Sequence, residues 1–167
     1  ACTHLTPEQQ QDLETLLSKF PKLFSGRLGL YPHEKIHLEI DSAAIPHRSR
    51  PYAVPKAHER VFLEELDRLC AAGVLDKCGR SEWCAGTFVI PKKDGKVRWV
   101  SDFRGLNTCL KRRVYPMPRI SDILSRRKGY KFLSKMDISM QYYTFELDDA
   151  SKELCTIATP FGMYRYC

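Results

Sequence analysis

Asp137 follows the β-prone run Lys131-Phe132-Leu133-Ser134-Lys135-Met136 and precedes Ile138. A lone carboxylate between apolar neighbours at the end of a strand is costly unless it is solvated, paired or bound to a cation. Earlier in the chain Lys92, Lys93, Lys96 and Arg98 gather around the dipeptide Asp94-Gly95. Four cations at one protruding turn repel each other unless an anion lies between them, and a triphosphate or a nucleic-acid backbone would supply it. A strand-end acid together with a phosphate-seeking basic turn is what a divalent-metal site for phosphoryl transfer requires. The competing reading is that Asp137 only terminates a strand, as Asp commonly does.

The charge of the whole chain points the same way. Between Lys92 and Met136 there are fourteen Lys and Arg against three acids, a net +11, whereas the 167-residue chain totals +7 and its remainder is therefore −4. A polyanionic partner explains such a block, because each neutralised phosphate releases condensed counterions and the gain accumulates. A solvated basic face explains it too.

These groups must be positioned by the elements around them. Thr6, Pro7 and Gln9 form the pattern of a capping box with Pro at the first helical position, which predicts a helix with an apolar face of Leu13, Leu16 and Leu17 that ends before Pro21. Residues 25–57 carry Pro32, Pro46, Pro51 and Pro55 and read as an extended arm with one strand-like patch, Ile36–Ile40. A second helix places Phe62, Leu66, Leu69 and Cys70 on one core-facing stripe, with Gly73 just past its end. Two β-prone runs flank Asp94-Gly95, which predicts a hairpin closed by a tight type I′ turn. A short basic helix is expected over 119–128, a strand over 131–138 carrying Phe132, Met136 and Ile138, a strand over "YYTFEL", and a third over "CTIAT".

Several function classes are excluded by composition. No apolar run approaches the roughly 20 residues of a bilayer span, and the N-terminal "ACTHLTPEQQ" lacks the features of a secretory leader. The seven cysteines are odd in number, scattered and never spaced as CxxC, so they read as reduced thiols. His33 and His37 share an i, i+4 spacing, but in an alternating segment that puts both on one solvated face. The chain has no initiator Met and stops inside a β-prone stretch, so it reads as an excerpt of a longer polypeptide.

Several segments, in order, resemble the reverse transcriptase of gypsy-type LTR retrotransposons, which is similar to the retroviral enzyme. "RPYAVP" resembles the lead-in to the fingers of that family. "SEWCAGTFVIPKKDGKVRWVSDFRGLN" resembles its fingers hairpin and DFR-x-LN signature, and "YPMPRI" its PxPxI connection. "LSKMDISMQYYTFELDDASKELCTIATPFGMYRY" resembles the first catalytic motif of the palm with the TPFG segment after it. The order of these motifs over most of the chain makes the likeness specific.

The resemblance implies an α+β fold: the fingers subdomain plus an incomplete palm of a right-hand polymerase. It divides the chain into an N-terminal helix and arm (1–57), a fingers-like region with the basic hairpin (58–130) and the first part of the palm (131–167). It implies that Asp137 is catalytic and holds magnesium with the main-chain carbonyl of Ile138. It further implies that Lys92, Lys93 and Arg98 contact the incoming triphosphate, that Tyr142 lies under the sugar and excludes a 2′-hydroxyl, and that Arg104 and Lys96 bind the template. The implied partners are an RNA or DNA template-primer, deoxynucleoside triphosphates and the remainder of a polyprotein (rest of the palm, thumb, RNase H and integrase), with no membrane. The implied location is the cytoplasm, an intracellular particle or the nucleus. Two departures accompany the likeness. The YxDD motif that supplies the other carboxylates is absent from these residues, so the chain by itself is expected to be inactive, and Gln141 stands where a small residue is common. A non-catalytic nucleic-acid-binding remnant of a retroelement, or a folding fragment without function, are the alternative readings.

Overall fold

The structure, a computed structural model, describes residues 3–93, 95, 97–127, 129–131 and 134–167. Its centre is a helix laid on a curved mixed sheet. The helix, Lys56–Ala71 (α2; the earlier Pro7–Ser18 is α1), buries Phe62, Leu66 and Leu69. Their i, i+4, i+7 spacing makes one stripe, and the stripe ends where Gly73 adopts φ +72°, the left-handed conformation that lets the chain reverse. That reversal feeds straight into the first strand, Leu75–Lys77 (β1).

The sheet is completed by Ala85–Pro91 (β2), Val97–Ser101 (β3), Thr156–Thr159 (β4) and Gly162–Tyr166 (β5), in the order β1-β5-β4-β2-β3. All neighbours are antiparallel except β2 and β4. Residues far apart in sequence thus share one hydrophobic core, whose buried members include Phe62, Leu66, Leu69, Leu75, Trp99, Ile157 and Tyr164. A chain of hydroxyls runs through it. Ser101 Oγ is bonded to Thr87 Oγ1 at 3.0 Å and to Tyr166 Oη at 2.8 Å, tying β2, β3 and β5 together where an unpaired hydroxyl would be costly.

Arg104–Cys109 (α3) follows β3 directly and buries Leu106 in a second cluster with Trp83 and Cys155. Ile120–Ser125 (α4) lies where the basic helix is expected, shorter than the 119–128 span and without a buried residue. Asp149–Leu154 (α5) is capped by Asp148, whose Oδ1 accepts the Ser151 N–H at 2.8 Å. Isolated β-bridges help pin the extended arm, with Ile36 beside Leu147, Ile40 beside Leu110 and Arg48 beside Cys84. The "CTIAT" strand is found as β4, and the Thr6–Gln9 capping box is formed as read.

Four expectations are corrected. Residues 134–138 form no strand, and among the described residues no backbone hydrogen bond between segments reaches 134–139. Alternation makes a strand only when a neighbouring edge accepts its backbone, and the sheet edges here are β1 and β3. "YYTFEL" is likewise no strand: Gln141–Thr144 is a 3₁₀ turn entered through Met140 at φ +57°. Tyr143 turns inward to stack on Tyr166 at 6.3 Å, and Thr144 Oγ1 closes the turn by donating to the Gln141 carbonyl at 2.6 Å. The hairpin is closed by a longer loop than a type I′ turn, since β2 and β3 end at the Pro91–Val97 pair and Gly95 N–H bonds Lys92 O at 3.2 Å. Asp94 and Lys96 lie outside the described residues. Finally, α1 has no buried residue, and Leu16 and Leu17 are exposed.

His37 Nδ1 lies 2.6 Å from Asp148 Oδ2, tethering the arm to α5. The Ser151 hydroxyl and N–H, then the His37 ring, draw the Asp148 carboxyl down to about 2. A carboxyl depressed on folding stabilises the fold above the ordinary carboxylate pKa of about 4 and loses that contribution as the pH falls through about 2. Asp148→Asn is therefore expected to lower stability at pH 7 and to flatten its decline between roughly pH 4 and 2. Urea unfolding at a series of acid pH values measures this, and parallel curves for the two proteins would remove Asp148 from the acid response.

Candidate nucleotide and nucleic-acid interface

The hairpin β2–β3 is the frame of the site. At its tip Lys92 and Lys93 are exposed in the loop. Arg98 follows on the returning strand opposite Ile90, and its exposure results from strand alternation, since its neighbour Trp99 points into the core against Phe62. None of the three has an ion pair among the described residues, so all three are available to an external anion.

At the other end of β3 lies an open cleft of about 1160 Å³. Its walls come from the arm (Tyr52), β2 (Phe88), the β3–α3 turn (Asp102), α3 (Arg104, Asn107) and the 3₁₀ turn (Tyr142). Arg104 and Tyr142, both singled out in the sequence, therefore face one space. Tyr142 is 93% exposed because its neighbour Tyr143 holds the turn to the body. Met140 adds a second hold, as its Sδ accepts from Arg68 Nη1 at 3.6 Å.

Arg104 does not stand free. Its Nε donates to Asp102 Oδ1 at 2.8 Å and its Nη2 to Oδ2 at 2.7 Å, a bidentate fork. The hydroxyl of Tyr52 donates to the same Oδ2 at 3.2 Å. These bonds, the Arg104 side chain first, hold the Asp102 carboxyl well below the usual carboxylate range, and Asp102 in turn raises the Arg104 guanidinium. Tyr52 reaches Asp102 only because its ring lies on the backbone of Gly86: a Cβ there would sit 2.6 Å from Tyr52 Cε2. An edge contact with Phe88, at 5.3 Å between ring centroids, completes its seat. The sequence reading missed Asp102 and Tyr52 as site residues. Their only sequence signal is position, Asp102 two residues before Arg104 and Tyr52 within "RPYAVP".

Asp137 and Ile138 do not line this cleft. Both are exposed, upstream of the turn that carries Tyr142, and the Asp137 carboxylate and Ile138 carbonyl have no hydrogen-bond partner among the described residues. No group of three His, Cys, Asp or Glu able to hold a metal occurs among the described residues. The Asp137 carboxylate and the Ile138 carbonyl thus fit as part of a hard-cation shell and do not complete one. Burial pushes the Cys155 thiol up to about 11, and Cys70, Cys78, Cys84 and Cys167 are raised as well, by burial first, which disfavours their thiolate forms. No helix among the described residues is long and apolar enough to cross a membrane.

Comparison with known proteins gives a consistent likeness. No protein-family model matches the chain. It is 36% identical over 158 residues to the uncharacterized protein K02A2.6 of Caenorhabditis elegans, covering 92% of this chain and 12% of that protein. It is 25% identical over 153 residues to the transposon Tf2-3 polyprotein of Schizosaccharomyces pombe, covering 92% of this chain and 11% of the polyprotein. The chain thus spans about an eighth or less of the length of these relatives. Among solved structures, a prototype foamy virus protease-reverse transcriptase superposes with a TM-score of 0.81 at 21% identity, over 97% of this chain and 22% of that one. The foamy viral enzyme in complex with an RNA/DNA hybrid superposes with a TM-score of 0.78 at 19% identity, over 97% of this chain and 22% of that one.

Proposed function

We propose that this chain, a retroelement reverse-transcriptase-like segment homologous to retrotransposon polyproteins, forms the fingers and the first part of the palm of an RNA- and DNA-templated DNA polymerase. One observation carries the reading: a single strand, β3, bears near the hairpin tip a solvent-facing cation, Arg98, with no ion pair among the described residues, and leads at its other end into a cleft walled by Arg104 and Tyr142. A strand with phosphate-binding groups near one end and an aromatic cleft at the other suits a polymer on which a triphosphate is placed. The foamy viral relatives are described in complex with double-stranded DNA and with an RNA/DNA hybrid, which supports a template-primer as the partner.

In this reading Lys92, Lys93 and Arg98 hold the triphosphate, and Arg104 and Lys96 contact the template. Asp137 and the Ile138 carbonyl contribute to the shell of magnesium, which when bound supplies charge neutralisation at the reacting phosphate. The residues present position and orient. Lys92, Lys93 and Arg98 draw in the phosphates, and the Tyr142 ring fills the space that a 2′-hydroxyl would need. Deoxynucleoside triphosphates are the substrates, and the thumb, RNase H and integrase of a polyprotein are the neighbours. The reading is tested by primer extension with the complete polymerase on RNA and DNA templates, and failure to extend on either with magnesium present would overturn it.

Two further outcomes are expected. Replacing Lys92, Lys93 and Arg98 together by Ala should lower the log-log salt slope of template-primer binding by roughly one to three units. An unchanged slope would return those residues to a merely solvated face. Tyr142→Ala should preserve extension with deoxynucleotides and reduce discrimination against ribonucleotides by roughly ten- to a hundredfold. The exposed ring is no part of the core, so the fold is expected to be indifferent to its loss. Single-nucleotide incorporation kinetics measure the ratio, and an unaltered ratio would remove Tyr142 from sugar selection.

A further inference from the structure

The cleft and the hairpin tip differ in charge, and the difference bears on what Arg104 does. At the tip Lys92 and Lys93 have no ion pair among the described residues. Among the described residues that wall the cleft, the only charged groups are Asp102 and Arg104, and these neutralise one another through a bidentate pair. The rest of the wall is mostly aromatic or amide, notably Tyr52, Phe88, Asn107 and Tyr142. A surface built to follow phosphates carries net positive charge, whereas a neutral aromatic one suits bases and sugars.

The pair is also rigid. Asp102 is 17% exposed at its side chain and Arg104 87%, so the carboxylate is the fixed, inner partner and the guanidinium the outer one. Asp102 accepts from Arg104 Nε, Nη2 and the backbone N–H, and from Tyr52, whose own place is set by Gly86 and Phe88. The fork is therefore oriented before any ligand arrives, with its charge already compensated.

We infer that Arg104, clamped through Nε and Nη2 by Asp102, which Tyr52 also holds, meets the template strand with its remaining Nη1 and Nη2 N–H groups as oriented, charge-compensated donors to uncharged acceptors, the oxygens and ring nitrogens of bases and sugars, and not as a phosphate-neutralising cation. Asp102 and Tyr52 are its positioning residues. The inference rests on the template reading given above and refines it: Lys92, Lys93 and Arg98 carry the salt-dependent part of nucleic-acid affinity, and Arg104 carries a salt-independent part.

The test uses the complete polymerase and a fluorescent primer-template duplex with a single-stranded template overhang, with the dissociation constant measured over a range of KCl concentrations. Arg104→Ala, a change at an exposed side chain, is expected to weaken binding roughly tenfold at every salt concentration with the log-log slope unchanged. Arg104→Lys keeps the charge without the fork and is expected not to restore affinity. Asp102→Asn removes the compensating charge and is expected to steepen the slope by about 0.7 to 0.9, the increment of one new phosphate contact. If Asp102→Asn fails to fold, the two Arg104 variants decide the question. A slope flattened by that increment in Arg104→Ala, or affinity restored by Lys, overturns the inference while leaving the template reading intact. A wild-type enzyme whose binding is indifferent to salt overturns both.

Discussion

Asp137→Asn in the complete polymerase is expected to reduce primer extension by about 10³-fold or more while leaving template-primer binding nearly unchanged. The amide keeps the shape of the side chain and loses the charge that a hard divalent cation requires. Asp137 is exposed and has no ion pair or hydrogen-bond partner among the described residues, so no structural bond is lost with its charge. The expected signature is therefore a loss of rate with fold and binding intact, which is a different outcome from that of a destabilising change. Single-turnover extension, thermal melting and binding measured on the same preparation separate the two. Extension at the wild-type rate would remove Asp137 from the chemistry, whereas a parallel fall in binding and melting temperature would make it a structural residue.

Phe62→Ala should have the largest effect on the fold. Phe62 is 0% exposed, 4.8 Å from Trp99 and 5.6 Å from Phe161 between ring centroids, and it joins α2 to β3 and to the β4–β5 turn. Truncating a fully buried Phe costs about 3–5 kcal/mol, a large share of the roughly 5–15 kcal/mol that holds a domain together. The consequence reaches the site, because Trp99 is the inward neighbour of Arg98 on the same strand. Phe62→Leu keeps most of the apolar volume and should cost less than half as much. Urea denaturation provides the measurement, and a loss below about 1 kcal/mol would mean that another residue centres the core.

The two cases differ in how much of them can be read from sequence. The stripe of Phe62, Leu66 and Leu69 is legible because helical spacing alone decides which side chains share a face. The capping box of Thr6 and Gln9 is legible because it involves only neighbours in sequence. The hairpin was legible as a hairpin, but its register was not: the last pair of β2 and β3 is Pro91 with Val97, a register that cross-strand pairing sets and a two-residue motif in sequence does not.

The strands expected around Asp137 and at "YYTFEL" failed for a related reason. Their β-propensity is real, but a strand exists only through the hydrogen bonds of a neighbour, and the positions beside β2 and β5 are taken by β4, β3 and β1. Tyr143 instead found its partner in Tyr166, distant in sequence, and a 3₁₀ turn was the conformation that brought the two rings together.

By itself, then, the sequence determined α1, α2 and the place of α4, the basic block, the hairpin and a family likeness, all of which follow from residue types at short and regular spacing, whereas the short helices α3 and α5 were not read from it. Only the tertiary structure decided which charges are free and which are spent. Arg98 and Arg104 are chemically identical and six positions apart in sequence. One faces solvent with no ion pair among the described residues, and the other is compensated by Asp102 under the hydroxyl of Tyr52, which the arm carries in from fifty residues upstream of Asp102. The electrostatic character of a cation depends on what lies within a few ångströms in space, and that arrangement comes from long-range packing that no local spacing encodes.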